Sequence, residues 1–88
     1  MKIEVRKPEP GELDRLGVSN WPIWSCAPST FDWSYDDRET CYILAGRATV
    51  KSDLGEISFG PGDLVIFPKG LACTWTVQQA VRKHYRFG

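Results

Sequence analysis

Gly60-Pro61-Gly62-Asp63-Leu64-Val65-Ile66-Phe67-Pro68-Lys69-Gly70 is the stretch on which the fold turns. Glycine and proline punctuate both ends, and apolar β-formers fill the middle. Gly60 to Asp63 reads as a tight turn. Leu64 to Phe67 is too short for a helix and reads as a buried strand, closed by Pro68-Lys69-Gly70. Upstream, Glu56 to Phe59 is a strand entered through a hairpin-type turn at Ser52-Asp53-Leu54-Gly55. Arg47 to Lys51 alternates before it, and Thr40 to Ala45 is a run of β-formers that stops at Gly46. Downstream, Ala72 to Val77 alternates again. Ala80 to Phe87 sets Val81, Tyr85 and Phe87 on one face and Arg82, His84 and Arg86 on the other. Short strands at this spacing, with almost no helix, predict an all-β sandwich or barrel.

The N-terminal third is less regular. Residues 2–6 alternate as a short strand, broken by Pro8, Pro10 and Gly11. Glu12 to Leu16 predicts at most one short helical turn, stopped by Gly17. Trp21-Pro22-Ile23-Trp24 is extended, because Pro22 disfavours helix at Trp21. Phe31-Asp32-Trp33-Ser34-Tyr35 alternates aromatic with polar, a strand with one apolar face. The expectation is a single domain over 1–88, with 1–29 an N-terminal arm and 30–88 the barrel. The Trp21–Trp24 cluster either covers one sheet of its own barrel or joins a homodimer interface.

Composition narrows the function classes. The chain has 88 residues, 42% hydrophobic and 25% charged, which is globular and sized for one domain. Eleven basic and eleven acidic side chains cancel. That balance argues against nucleic acid as a partner and against a polybasic membrane surface. No apolar run approaches the ~20 residues of a membrane helix. Met1 to Arg6 lacks a secretory apolar stretch, so a cytoplasmic location is expected. Cys26, Cys41 and Cys73 are odd in number and include no CxxC pair, so reduced thiols packed as small hydrophobes are expected. No glycine-rich phosphate loop, Ser-His-Asp set or HExxH run is present.

Two motifs suggest a family. Glu39 is followed after six residues by Gly46, as in the second half of the first cupin motif. Gly62 to Gly70 matches the opening of the second cupin motif, with Pro68 and Gly70 in place. The chain thus resembles the small single-domain cupins, RmlC-like jelly rolls, grouped with (S)-ureidoglycine aminohydrolase. The resemblance implies a cupin-type double-stranded β-helix, a jelly-roll barrel, and a nitrogen-containing or ureido-type metabolite as substrate class. Its metal ligands carry over residue by residue. The two histidines of the first motif fall on Trp33 and Tyr35, the glutamate on Glu39, and the histidine of the second motif on Cys73. The closing asparagine falls on Val77. One ligand of four survives, so the standard cupin metal site is not expected.

Period-two alternation decides which side chains share the interior. Trp33 and Tyr35 share a face, as do Glu39 and Cys41, and Cys73 and Trp75. In cupin register these six line one pocket. Three readings stay open. A small polar organic molecule binds without metal, Trp33, Tyr35 and Trp75 forming flat walls and Glu39 or Tyr35 fixing or activating it. Alternatively Glu39, Cys73 and Cys41 hold a divalent metal, zinc or manganese, for an aminohydrolase-like enzyme. Or the cavity is filled by its own aromatics, and the protein is a non-catalytic dimerising module. A buried Glu39 needs a partner, and Tyr35 or a backbone amide is the expected one. His84, the single histidine, is expected to face solvent, or to form an anion contact with Arg82 and Arg86. Lys69 faces solvent or guards the pocket mouth.

Overall fold

The computed structural model describes every residue, Met1–Gly88. Seven strands follow in chain order: β1 (Glu4–Arg6), β2 (Ile23–Cys26), β3 (Ser29–Ser34), β4 (Glu39–Ser52), β5 (Gly55–Phe59), β6 (Leu64–Phe67) and β7 (Ala72–Phe87). Between β1 and β2 lie the helical turn α1 (Glu12–Leu16) and a single 3-10 turn at Val18–Asn20. Gly17, in the left-handed conformation, ends α1 as the sequence predicts. No helix is long and apolar enough to cross a membrane.

The spine is the antiparallel ladder between β4 and β7, the two longest strands at 14 and 16 residues. The sequence divides each into two strands, at Gly46 and between Val77 and Ala80; the structure joins them. The joins are bends rather than breaks. The register slips between Ile43 and Ala45, between Ala45 and Arg47, and between Arg47 and Ala48. Extra residues at such bulges turn a strand sharply without ending its pairing. Gly46 sits at the corner with φ 87°. A Cβ there would collide with the backbone carbonyl of Ala80 on β7. Only glycine combines that dihedral with that approach.

The bend folds one sheet into a two-layered jelly roll. The first halves of β4 and the last of β7 continue through β6 to β1 on one side and to β2 on the other. The other halves continue to β5 and to β3. Thirteen buried residues fill the space between the layers, among them Ile43, Val50, Phe59, Val65, Phe67, Val77 and Val81. They come from the inward positions of the alternating strands.

The N-terminal arm completes the sheet. β1 pairs with β6, and β2 pairs with β7 from Ile23↔His84 to Cys26↔Val81. His84 Nδ1 lies 2.9 Å from the Trp21 carbonyl oxygen, and the Arg86 guanidinium lies 4.7 Å from the centre of the Trp21 ring. The outer face of β7 therefore holds the arm. The anion contact expected of Arg82, His84 and Arg86 does not form as a unit, because Trp21 occupies two of the three.

Gly46→Ala should lower stability by more than about 2 kcal/mol, since it adds a backbone collision to left-handed strain. Chemical denaturation of the purified variant checks this. Gly55→Ala, where nothing lies within 4 Å of the added carbon, carries only the conformational cost and serves as the control.

Candidate functional site

A cavity of about 430 Å³ opens between the two layers, on the side where β2 and β3 turn the corner. Each strand contributes by parity. β2 presents Trp24 and Cys26, and β3 presents Phe31 and Trp33, with Tyr35 just beyond its end. β4 gives Glu39 from its first position, and β7 gives Trp75, Lys83, Tyr85 and Phe87. Eight of these ten residues are hydrophobic. Trp33 and Phe87 remain 48% and 47% exposed, which marks them as the rim rather than the floor.

Trp75 is the centre of the wall. Its ring stacks on Phe31 at 6.0 Å and meets Trp24 edge-on at 6.0 Å. Behind it, Phe59 and Phe67 lie at 5.3 and 5.5 Å. Aromatic pairs at these separations each add about 0.5–1.5 kcal/mol beyond burial. Its indole Nε1 donates to the Tyr35 hydroxyl at 3.3 Å.

The floor holds an ion pair. Lys83 Nζ donates to Glu39 Oε2 at 2.7 Å, with the two side chains only 7% and 3% exposed. The same ammonium lies 4.8 Å from the centre of the Trp24 ring and 4.6 Å from that of Trp75. Two indole faces and one carboxylate therefore surround it, which is the arrangement of an aromatic cage for a cation. Lys83 is a cavity residue that the sequence reading missed. The signal was present: it falls between Val81 and Tyr85, on the inward parity of β7. Trp24 was missed for a similar reason, since its face is set only by the pairing of β2 with β7.

Glu39 is buried as expected; Tyr35 interacts with it, and its ion-pair partner is Lys83, 44 residues away. Tyr35 is 3% exposed and its phenol is pushed far up, first by burial and then by the Glu39 charge. It stays neutral, and its hydroxyl accepts the indole N–H of Trp75.

The structure brings Trp33, Tyr35, Glu39 and Trp75 together around the cavity, and leaves Cys41 and Cys73 out of its lining. Cys41 is fully buried in the core, opposite Tyr85 on one side and Val65 on the other. Burial pushes its thiol from 9.0 up to about 12, although Lys83 opposes the rise. Cys73 pairs with Trp33 across the β3–β7 ladder and points its thiol at the Trp33 carbonyl oxygen, 3.6 Å away. Burial raises its pKa as well. Cys26, half-buried, lines the cavity instead, its thiol 3.3 Å from the Ala27 carbonyl oxygen.

These residues do not fit a divalent metal. One Glu39 oxygen is taken by an ammonium, the neighbouring Trp24 and Trp75 offer no ligand atom, and Cys73 lies outside the lining. No group of three or more His, Cys, Asp or Glu side chains is arranged to hold a metal ion.

Residues 13–85 match the family of EutQ-like cupin domains. A DUF861 family protein from Thermotoga maritima is similar in structure, with a TM-score of 0.95 and 48% identity over 99% of this chain and 100% of that one. The EutQ protein of Clostridium difficile is similar, with a TM-score of 0.69 and 26% identity over 74% of this chain. The matched region covers 52% of that longer protein. A DUF861 family protein from Pseudomonas syringae pv. tomato gives a TM-score of 0.67 at 25% identity, over 75% of this chain and 29% of its own. No protein of curated function matches the chain.

Lys83→Met alone should cost about 3–5 kcal/mol, because it leaves a buried carboxylate unpaired. The double variant Lys83→Met, Glu39→Leu should recover most of that loss. Urea unfolding of both variants measures it. The thiols give a second expected outcome: at pH 8 a disulfide reagent labels Cys26 quickly, and Cys41 and Cys73 only on unfolding. A folded-state thiol raised from 9.0 to about 12 also makes alkali destabilising. The unfolded chain ionises first, so the contribution is intact below pH 9 and falls as pH rises from 9 towards about 12. Thermal melts across that range, with Cys41→Ala as reference, read the slope.

Proposed function

The chain belongs to the EutQ-like cupin domain family, and we propose that it uses the barrel interior as a non-covalent receptor for a small, largely apolar molecule. The observation that carries this reading is the cavity itself. About 430 Å³ walled by aromatic rings, with one ion pair as its only charge, is within the ~300–1,000 Å³ range of ligand sites. Such a wall suits a flat apolar body. A metabolite polar on every side would leave most of its hydrogen-bonding groups unpaired against it.

The proposal gives each residue a role. Trp24, Phe31 and Trp75 form the inner walls, and Trp33 and Phe87 form the rim. Glu39 and Lys83 form a polar floor that orients one end of the ligand. Tyr35 joins that floor through its bond from Trp75 and its proximity to Glu39. Catalysis by Glu39 is not needed for this role, and its Oε2 is already engaged by Lys83.

Indole and toluene are suitable probes, because neither carries a charge. Trp24, Trp33 and Trp75 line the cavity, so toluene binding should change intrinsic fluorescence in a saturable way, while indole, itself the tryptophan fluorophore, is followed by NMR shift perturbation. Trp33→Ala should weaken binding by about tenfold, the worth of one lost ring contact, with little change in melting temperature because the side chain is half exposed. A titration in which neither probe saturates, by fluorescence or by NMR shift perturbation, would sink the receptor reading.

A further inference from the structure

The hydrogen-bonding inventory of the cavity floor specifies what the ligand's polar end must be. An ammonium has three N–H donors. Lys83 places one on Glu39 Oε2 and makes no other hydrogen bond; its ammonium lines the cavity between the Trp24 and Trp75 rings. Glu39 has acceptor positions beyond the one Lys83 occupies. The other polar atoms nearby are already engaged: the Trp75 N–H by the Tyr35 hydroxyl, the Tyr35 O–H by Glu39, which still keeps further acceptor positions, and the Cys26 thiol by Ala27. The floor therefore offers unused donors from Lys83 beside unused acceptor capacity on Glu39.

Charge decides among ligand classes. Lys83 and Glu39 sum to zero. A ligand ammonium would seek the aromatic faces, but Lys83 already fills that cage, and two cations would share one carboxylate. A ligand carboxylate would reach Lys83 but would bury a net negative charge beside Glu39, in surroundings that screen it poorly. A neutral carbonyl meets neither obstacle. Its oxygen accepts from Lys83 and leaves the floor uncharged. If the carbonyl belongs to a primary amide, its N–H₂ also donates to Glu39.

Resting on the receptor reading above, we infer that the site selects neutral, planar, apolar molecules that end in one carbonyl group, with the primary amide as the best match. The selectivity comes from the chain's own lysine occupying the cation place of the cage. The pair of Lys83 and Glu39 is then a head-group reader, and the rings of Trp24 and Trp75 recognise the body.

The test is a panel of one-ring probes that share a body and differ in the head: benzamide, acetophenone, benzoate, benzylamine and toluene. Affinities come from NMR titration of the wild-type protein at pH 7. Benzamide should bind most tightly, at least about tenfold ahead of benzoate, benzylamine and toluene, as hydrogen bonds to charged partners predict. Acetophenone should fall between. In the double variant Lys83→Met, Glu39→Leu, which keeps the pocket free of unpaired charge, benzamide should lose that lead and bind no better than toluene. Benzoate or benzylamine binding as tightly as benzamide overturns the head-group assignment. So does toluene equalling benzamide in the wild type, and that result would leave the receptor reading standing. Failure of every probe, toluene included, overturns both. Because the wild-type ranking decides the matter alone, a poorly folding variant does not rescue the idea.

Discussion

The bend in the β4–β7 ladder is the constraint on which the molecule depends. Two long antiparallel strands pair along nearly their whole length, yet each must belong to both layers of the roll. The bulges near Ile43–Ala48 and the left-handed Gly46 pressed against Ala80 let them do so. Without that corner the ladder would run on as a flat ribbon. The inward faces of its two halves would not meet, and neither core nor cavity would form. The family's motif glycine thus has a mechanical meaning here: it is the residue that permits contact between two backbones at the turn.

The same bend explains why the site holds charges at all. Glu39 begins β4 and Lys83 lies in the last part of β7, so folding the ladder brings both into the interior. A buried ion pair of this kind adds little to stability over a hydrophobic pair of equal shape. Its better-supported consequence is directional. It fixes the floor's polarity, with a cation held between Trp24 and Trp75 and an anion beside Tyr35. The surrounding rings lower the local polarity and strengthen both interactions. Where the cupin motif has imidazoles around an ion, this chain has two indole rings around its own ammonium.

Much of this architecture was legible before any coordinates. Glycine and proline punctuation marked the turns, and period-two alternation marked the inward faces of Glu39-Cys41-Ile43 and Cys73-Trp75-Val77. All six of these side chains are buried. Gly46 was legible as a strand end and a motif glycine; that it is the corner of one continuous strand came only from the structure. What parity could not convey was depth. Cys41 and Cys73 share the inward parity with cavity residues, yet they pack in the core and beside the Trp33 backbone. Nor could parity reveal partnership. A lysine within an apolar face reads as solvated because lysine usually is.

The sequence by itself determined the turns, the helical turn at Glu12–Leu16, the all-β class and the two-residue parity along most strands, although it divided β4 and β7 in two. These follow from local rules: backbone preference at glycine and proline, and two-residue periodicity along a strand. Tertiary structure alone decided which inward residues meet. The β2–β7 pairing brought Trp24 over Lys83, and the bent ladder set Lys83 against Glu39 across 44 residues of chain. The reason is physical. Local rules fix orientation about one strand, whereas contact between strands depends on register and curvature, and those are settled only when the whole sheet closes on its core.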